Sequence, residues 1–247
     1  EEKHPPKSYT ENQVLKYTRV TNPSLTVFET DSDLHKEAGI IVCPGGGYRI
    51  LAMDLEGYEI AKWLNELGFT AFVLQYRVPD KRKGAFRDIQ RAIRVVRSRS
   101  DQWNLDPNKI GVLGFSAGGH LCARLATGFN EDVYPPTDSI DTLSCRPDFA
   151  TLIYPAYLDR GANRGLSPEL NIDTHTPPMF IFGTADDKYG NSSLVMAGAL
   201  RDHQIPVELH MLPNGGHGYG LRKGNPAAET WPGLAEEWLD KVMKEDF

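Results

Sequence analysis

Six short runs of this chain are apolar almost without interruption: residues 40–43, 70–74, 110–113, 150–154, 179–182 and 207–211. A strand with one wet face alternates apolar and polar side chains. A continuous run requires cover on both faces, as in a parallel sheet with helices on either side. Two earlier segments, 14–20 and 25–29, have the mixed character of antiparallel edge strands and are expected to flank such a sheet.

Helical patterns fall between these runs. Ile60, Trp63, Leu64 and Leu67 recur at i, i+3, i+4 and i+7 and form one apolar stripe, ended by Gly68. Phe86, Ile89, Ile93 and Val96 make a second stripe, and Leu234, Trp238 and Val242 a third near the C-terminus. Strand–helix alternation over most of the chain predicts a doubly wound, mostly parallel α/β sheet with right-handed crossovers. Two stretches break it: 128–147, with Pro135 and Pro136, and 156–178, rich in Gly, Asn, Asp and Pro. Both are expected to lie on the rim of a site.

Length then limits the organisation. The chain has 247 residues, which suits one domain spanning 1–247, with 1–13 expected as a flexible N-terminal segment. A formal charge of −6 argues against a general nucleic-acid binder, and no apolar run approaches the ~20 residues that span a bilayer. The first residues are polar and begin at Glu1, which fits either the start left by a removed signal peptide, hence secretion or a periplasmic place, or a trimmed boundary. Cys43, Cys122 and Cys145 are odd in number and widely spaced, so they are expected as buried thiols rather than a disulfide framework. The basic run 81–99 lies on the helix that buries Phe86, Ile89, Ile93 and Val96, and is expected to be a solvated face. An anionic-substrate patch is the minor alternative.

The strongest chemical signal is Gly114-Phe115-Ser116-Ala117-Gly118, between the apolar run 110–113 and a helix carrying Leu121, Ala123 and Leu125. A serine between strand and helix, with glycine two residues to either side, has the form of a nucleophile elbow. A serine hydroxyl needs a base. His217 follows the run 207–211 in Asn214-Gly215-Gly216-His217-Gly218 and is the candidate general base and acid. The run 179–182 leads to Thr184-Ala185-Asp186-Asp187. Asp186 is assigned as the acid that orients the imidazole, with Asp187 a neighbouring turn or cap residue. His120 is assigned to packing, and no histidine pairing suggests a metal site. Pro44-Gly45-Gly46-Gly47-Tyr48 follows the run 40–43. The amides of Gly46, Gly47 and Ala117 are the candidate oxyanion hole. No GxxxxGK[ST] pattern supports a phosphate loop instead.

Together with Tyr76-Arg77 and residues 88–92, these motifs resemble the α/β-hydrolase fold esterases of the acetylxylan and feruloyl esterase type, from about Gly39 to the C-terminus. The resemblance implies the α/β-hydrolase fold, a triad of Ser116, Asp186 and His217, removal of short acyl groups from plant polysaccharide such as xylan, and no metal or organic cofactor. Phe182-Gly183 departs from it, since many members carry His before the Gly or Thr. Arg77 and Asp88 are expected to pair. Tyr48 is a candidate wall of a narrow acyl pocket. Tyr157, Tyr189, Tyr219 and Trp231 are candidate sugar platforms, and Tyr48, Tyr189 and Tyr219 are taken as the possible substrate pocket. An acylated oligo- or polysaccharide is the expected partner. Three alternatives stay open: a general short-chain carboxylesterase, a peptidase related to prolyl oligopeptidase, and a binding protein on an inactive hydrolase fold.

Overall fold

The computed structural model describes residues 6–30, 34–131 and 133–244. All six apolar runs are strands of one sheet: β4 (Gly39–Cys43), β6 (Thr70–Gln75), β7 (Ile110–Phe115), β8 (Ala150–Ile153), β9 (Met179–Thr184) and β10 (Val207–Leu212). With β3 (Ser24–Phe28) the order is β10-β9-β8-β7-β4-β6-β3. The six pair in parallel, and β3 joins β6 antiparallel at the edge. Every residue of β4, β7, β8 and β9 is buried, as a sheet covered on both faces requires.

The other early segment goes elsewhere. β2 (Val14–Thr18) pairs with β1 (Lys7–Glu11) and with the short β5 (Leu51–Ala52), forming a separate three-stranded antiparallel sheet. Residues 7–11 are therefore strand, which corrects the expectation of a flexible segment over 1–13; residues 1–5 lie outside the described residues. β1 is exposed at every position and has no apolar pattern to announce it.

Helices α1 (Glu59–Glu66), α2 (Arg82–Ser98), α3 (Ala117–Gly128), α4 (Gly190–Asp202) and α5 (Pro226–Met243) cover the faces. A π-helical turn, Asp54–Tyr58, leads into α1. Ile60 and Leu64 of the first stripe are buried, as are Phe86, Ile89, Ile93 and Val96 of the second. Cys43, Cys122 and Cys145 are buried free thiols.

The chain builds outward from β4 through β6 in one direction and from β7 through β10 in the other. The reversal falls between β4 and β7. In open parallel sheets the crevice at the carboxyl ends of the two strands flanking such a reversal is where ligands bind. Pro44–Tyr48 leaves the end of β4, and Ser116 leaves the end of β7.

Most of the excursion 128–147 is not on that rim, although Glu131 and Val133 at its start share a cavity with Tyr48, Arg82 and His120. The excursion runs from the end of α3 to the start of β8, so it returns to the amino edge of the sheet. Arg97 of α2 fastens its end there through Asp148, whose carboxylate also accepts the Ile110 amide at the start of β7. The excursion 156–178 follows the carboxyl end of β8 and carries Tyr157 beside the crevice.

Candidate active site

β7 ends at Phe115, and the backbone turns within one residue into α3. Ser116 sits at φ 52°, ψ −116°, outside the regions open to most L-residues. Holding a non-glycine residue there costs roughly 1–3 kcal/mol. The flanking glycines are dictated by contact. A Cβ on Gly114 would come 2.3 Å from the Gly118 carbonyl oxygen, and a Cβ on Gly118 would come 2.0 Å from that of Cys43. Only hydrogen fits at either position, so strand, turn and helix pack closely enough to hold the hydroxyl over the sheet.

Ser116 Oγ lies 2.7 Å from His217 Nε2. His217 Nδ1 lies 2.7 Å from Asp187 Oδ2. A carboxylate can only accept, so Nδ1 carries the proton and Nε2 is free to accept from the serine hydroxyl. The acid at the imidazole is thus Asp187, and the assignment of Asp186 is corrected. The turn after β9 aims the two carboxylates apart. The Asp187 side chain is 2% exposed and also accepts the Tyr189 amide at 3.0 Å. Asp186 is exposed and accepts the amides of Gly215 and Gly216 at 3.2 and 2.9 Å, and these bonds draw its pKa down. It clasps the loop that carries His217 without touching the ring. Strand periodicity does not extend into this turn, so the sequence holds no signal that separates the two neighbours.

The rest of that loop is held from several elements. Thr184 Oγ1 donates to the Gly216 carbonyl, Asn225 Nδ2 to the Gly215 carbonyl and Trp231 Nε1 to the Gly220 carbonyl. Tyr154 and Tyr189 flank the imidazole, each with its ring centre 5.0 Å from that of His217.

Across the crevice, the Gly46 carbonyl accepts from the amides of Arg49 and Ile50, closing the turn after β4. Among the described residues, no acceptor takes the amides of Gly46 and Gly47, and Ala117 is the first residue of α3, where helix amides have no partner in the helix.

Beneath this turn lies a residue that the sequence reading missed. Glu56 is 3% exposed. Its Oε2 accepts the Gly45 amide at 2.7 Å, and its Oε1 accepts the Tyr154 hydroxyl at 2.8 Å. Tyr154 Oη in turn accepts the Gly220 amide at 3.1 Å. One buried carboxylate thereby joins the turn after β4, the ring beside His217 and the loop that carries it. Burial raises its pKa, and the two donors offset only part of that rise. An acid between Leu55 and Gly57 looks like an ordinary surface position in sequence. The π-helical turn is what swings it inward.

Three aromatic assignments change. Tyr48 is 2% exposed and donates its hydroxyl to His120 Nδ1 at 2.7 Å, so it braces the turn from within rather than walling an acyl pocket. Burial lowers the His120 pKa, which keeps the ring neutral and able to accept at Nδ1; its Nε2 faces Glu169 at 3.3 Å. Tyr219 is 6% exposed, with its ring edge-on to Tyr154 at 4.4 Å, and Trp231 is fully buried. Neither can offer a face to a sugar. Tyr189 and Tyr157 are half-buried and packed edge to face at 5.4 Å, and Tyr189 stands next to His217. Arg77 and Asp88 pair, with Nη2 to Oδ1 at 2.5 Å.

Comparison with known proteins follows the same lines. The BD-FAE family profile matches residues 27–194, about two thirds of the sequence and inclusive of the elbow and both aspartates. The chain belongs to the BD-FAE family. Two curated relatives are similar to this BD-FAE chain. An acetylxylan esterase of Xylanibacter ruminicola is 30% identical over 208 residues, covering 74% of this chain and 41% of that protein. Endo-1,4-beta-xylanase B of Butyrivibrio fibrisolvens is 32% identical over 251 residues, covering 91% of this chain and 39% of that protein. The chain thus spans about two fifths of the length of these relatives. Among solved structures, the acetyl ester-xyloside bifunctional hydrolase of Caldicellulosiruptor lactoaceticus superposes with a TM-score of 0.79 at 37% identity, covering 89% of this chain and 88% of that one. The BD-FAE chain has the α/β-hydrolase fold.

Proposed function

We propose that this chain is a serine carboxylic-ester hydrolase that removes short acyl groups, acetyl first and feruloyl as a second candidate, from plant polysaccharide such as xylan. The observation that carries this reading is the continuous hydrogen-bonded chain from Ser116 through His217 to Asp187, set at the crevice of the sheet. The names of the relatives support the substrate class: one acts on acetylxylan and another on acetyl esters and xylosides.

In this scheme Ser116 Oγ attacks the ester carbonyl carbon while its proton passes to His217 Nε2. Asp187 stabilises the imidazolium that forms. The carbonyl oxygen becomes an oxyanion, met by the amides of Gly46, Gly47 and Ala117. Loss of one such donor typically costs about 10²–10³ in rate. The C–O bond to the sugar breaks, and the sugar oxygen takes the proton from His217. Water then enters, loses a proton to His217 and attacks the acyl carbon; the bond to Ser116 Oγ breaks, the acyl group leaves as a carboxylic acid, and His217 returns the proton to Ser116 Oγ.

The test is hydrolysis of p-nitrophenyl acetate, butyrate and octanoate, followed by acetylated xylan, with wild type and Ser116→Ala. Rates should fall with chain length, acetate should be released from xylan, and Ser116→Ala should lose about 10⁶-fold. A preference for octanoate would replace this reading with a general carboxylesterase. No hydrolysis of any ester by the wild type would overturn it.

A further inference from the structure

Three cations stand against aromatic rings along the crevice. Arg82, the first residue of α2, places its guanidinium 4.9 Å from the centre of the Tyr48 ring and 4.8 Å from that of Tyr157. Arg160, on the excursion after β8, lies 4.5 Å from the same Tyr157 ring. Lys188 lies 4.9 Å from the ring of Tyr189. All three cations are exposed. Among the described residues none of them forms an ion pair. Of the acids nearby, Asp159 is engaged with Arg164, Asn191 and Ser192, Glu131 with Arg124, and Glu169 with His120, while Asp80, two residues before Arg82, is exposed and forms no ion pair among the described residues.

The tyrosine beneath these guanidiniums belongs to the crevice. A Cβ on Gly47 would sit 3.5 Å from the Tyr157 hydroxyl, and Tyr189 connects Tyr157 to His217. Two guanidiniums against one ring gain the attraction of its face and repel each other. An anion within reach of both would offset the repulsion and meet two planar forks of N–H donors, a geometry that suits a carboxylate. The chain as a whole is negative, at −6, so this is a local reversal of sign rather than part of a basic surface.

We propose that Arg82 and Arg160, mounted on Tyr157, form a subsite for the carboxylate of a uronic-acid unit carried by the acylated saccharide. The sugar next to the scissile ester lies against Tyr189, beside His217, and the uronic carboxylate reaches the guanidiniums. The assignment of a saccharide rests on the reading of the preceding subsection.

The decisive experiment is calorimetric titration of Ser116→Ala with two acetylated xylo-oligosaccharides of equal length, one bearing a glucuronic-acid branch and one neutral. The acidic ligand should bind about tenfold tighter, as expected for two partly exposed charge-assisted contacts. The advantage should shrink between about 50 mM and about 500 mM sodium chloride, because the Debye length falls about threefold. It should vanish when Arg82→Gln and Arg160→Gln are added. Arg82→Lys with Arg160→Lys should restore part of it, since charge returns without the fork. Equal affinity for the two ligands, or a preference that survives the double glutamine variant, would overturn the subsite. Wild-type hydrolysis of the same pair separates this proposal from the one on which it rests. Tighter binding of the acidic ligand without deacetylation of either would retain the subsite and remove the polysaccharide-esterase reading.

Discussion

Replacing the Asp187 carboxylate by an amide would keep the turn after β9 and change only what faces His217 Nδ1. An amide NH₂ in that place favours the tautomer with its proton on Nε2, where it cannot accept from Ser116. Asp187→Asn should therefore lower kcat by about 10⁴ with little change in KM, as loss of the correct tautomer does in serine hydrolases. Asp186→Asn keeps one carbonyl oxygen for the amides of Gly215 and Gly216, and should cost less than about tenfold. Steady-state ester kinetics on the two variants decide the matter, and a larger loss in Asp186→Asn would return the acid role to Asp186. Glu56 gives a second test at this scale, in which stability is the readout. Gln in its place offers one acceptor and one donor to two donors, leaving a buried group unsatisfied at a cost of about 2 kcal/mol. The pH dependence carries the sign. Burial raises the pKa of Glu56 above its ordinary 4.5. Between 4.5 and the raised value the folded protein keeps a proton that the unfolded chain has lost, so Glu56 makes stability fall as pH climbs through that window. Thermal melts across the acid range should show this fall in the wild type and not in Glu56→Gln. Parallel pH profiles for the two proteins would remove Glu56 as its source.

The elements of the main sheet were legible where burial on both faces writes itself as an apolar run. β4, β6, β7, β8, β9 and β10 all appear that way, and α1, α2 and α5 through their stripes. α4 was not visible, because its inner face mixes Ser192 and Ser193 with Met196, Ala197 and Leu200 while Leu194 is exposed on its outer side, so the two faces give little contrast. The basic face of α2 was misjudged for a related reason: charge in a sequence does not say what it meets. Arg82, Lys83, Arg87 and Arg99 are exposed, as expected of a solvated face. Arg91, Arg94 and Arg97 are not free in solvent; they grip the excursion 128–147. Arg94 donates to Tyr134 Oη and the Leu143 carbonyl, and Arg97 to the carbonyls of Pro107, Ser144 and Arg146 and to Asp148. Arg91 reaches Asp141, which also accepts from Tyr134 Oη and from the amide and hydroxyl of Thr137. Burial pushes the Asp141 pKa up, but the four donors outweigh it and hold it well below the ordinary carboxylate range. Stability from this group is full above that ordinary range and is lost as pH falls toward the depressed value. Asp141→Asn should weaken the anchorage by about 2 kcal/mol and lower Tm by roughly 4–8 °C, with limited proteolysis appearing first within 128–147. Its ester hydrolysis at moderate temperature should match the wild type, because this part of the excursion lies at the amino edge of the sheet. A large loss of activity in a folded Asp141→Asn protein would contradict that placement.

At the scale of the molecule, the triad is assembled from pieces that the sequence sets far apart, and the least constrained piece is the loop of His217. Four of the six residues from 215 to 220 are glycines with positive φ, so the loop gives up much conformational freedom when it orders. Part of that cost is offset by contacts beyond the sheet that carries the site. Arg222, two residues after Gly220, donates to Glu59 of α1 at 2.7 Å, to Asp54 of the π-helical turn at 3.1 Å and to the Gln13 carbonyl between β1 and β2 at 2.7 Å. Asp54 also accepts the Leu15 amide of β2 at 2.9 Å. The small N-terminal sheet, the turn that swings Glu56 inward and the histidine loop thus meet at one guanidinium. The side chain is about a third exposed, so its direct worth to global stability is on the order of 1 kcal/mol. Its effect on the loop should be larger than on the fold, because without it the loop is held mainly at Gly215, Gly216 and Gly220. Arg222→Gln should therefore lower Tm by only about 2–4 °C, yet reduce kcat several-fold with KM little changed, because a smaller fraction of molecules has His217 in place. Hydrogen exchange should show the same split: amides of residues 215–220 lose protection, while those of β7 and β9 keep theirs. Unchanged exchange in the loop together with unchanged kcat would mean that the glycine loop is positioned by the sheet alone, and that the N-terminal strands contribute nothing to the geometry of the triad.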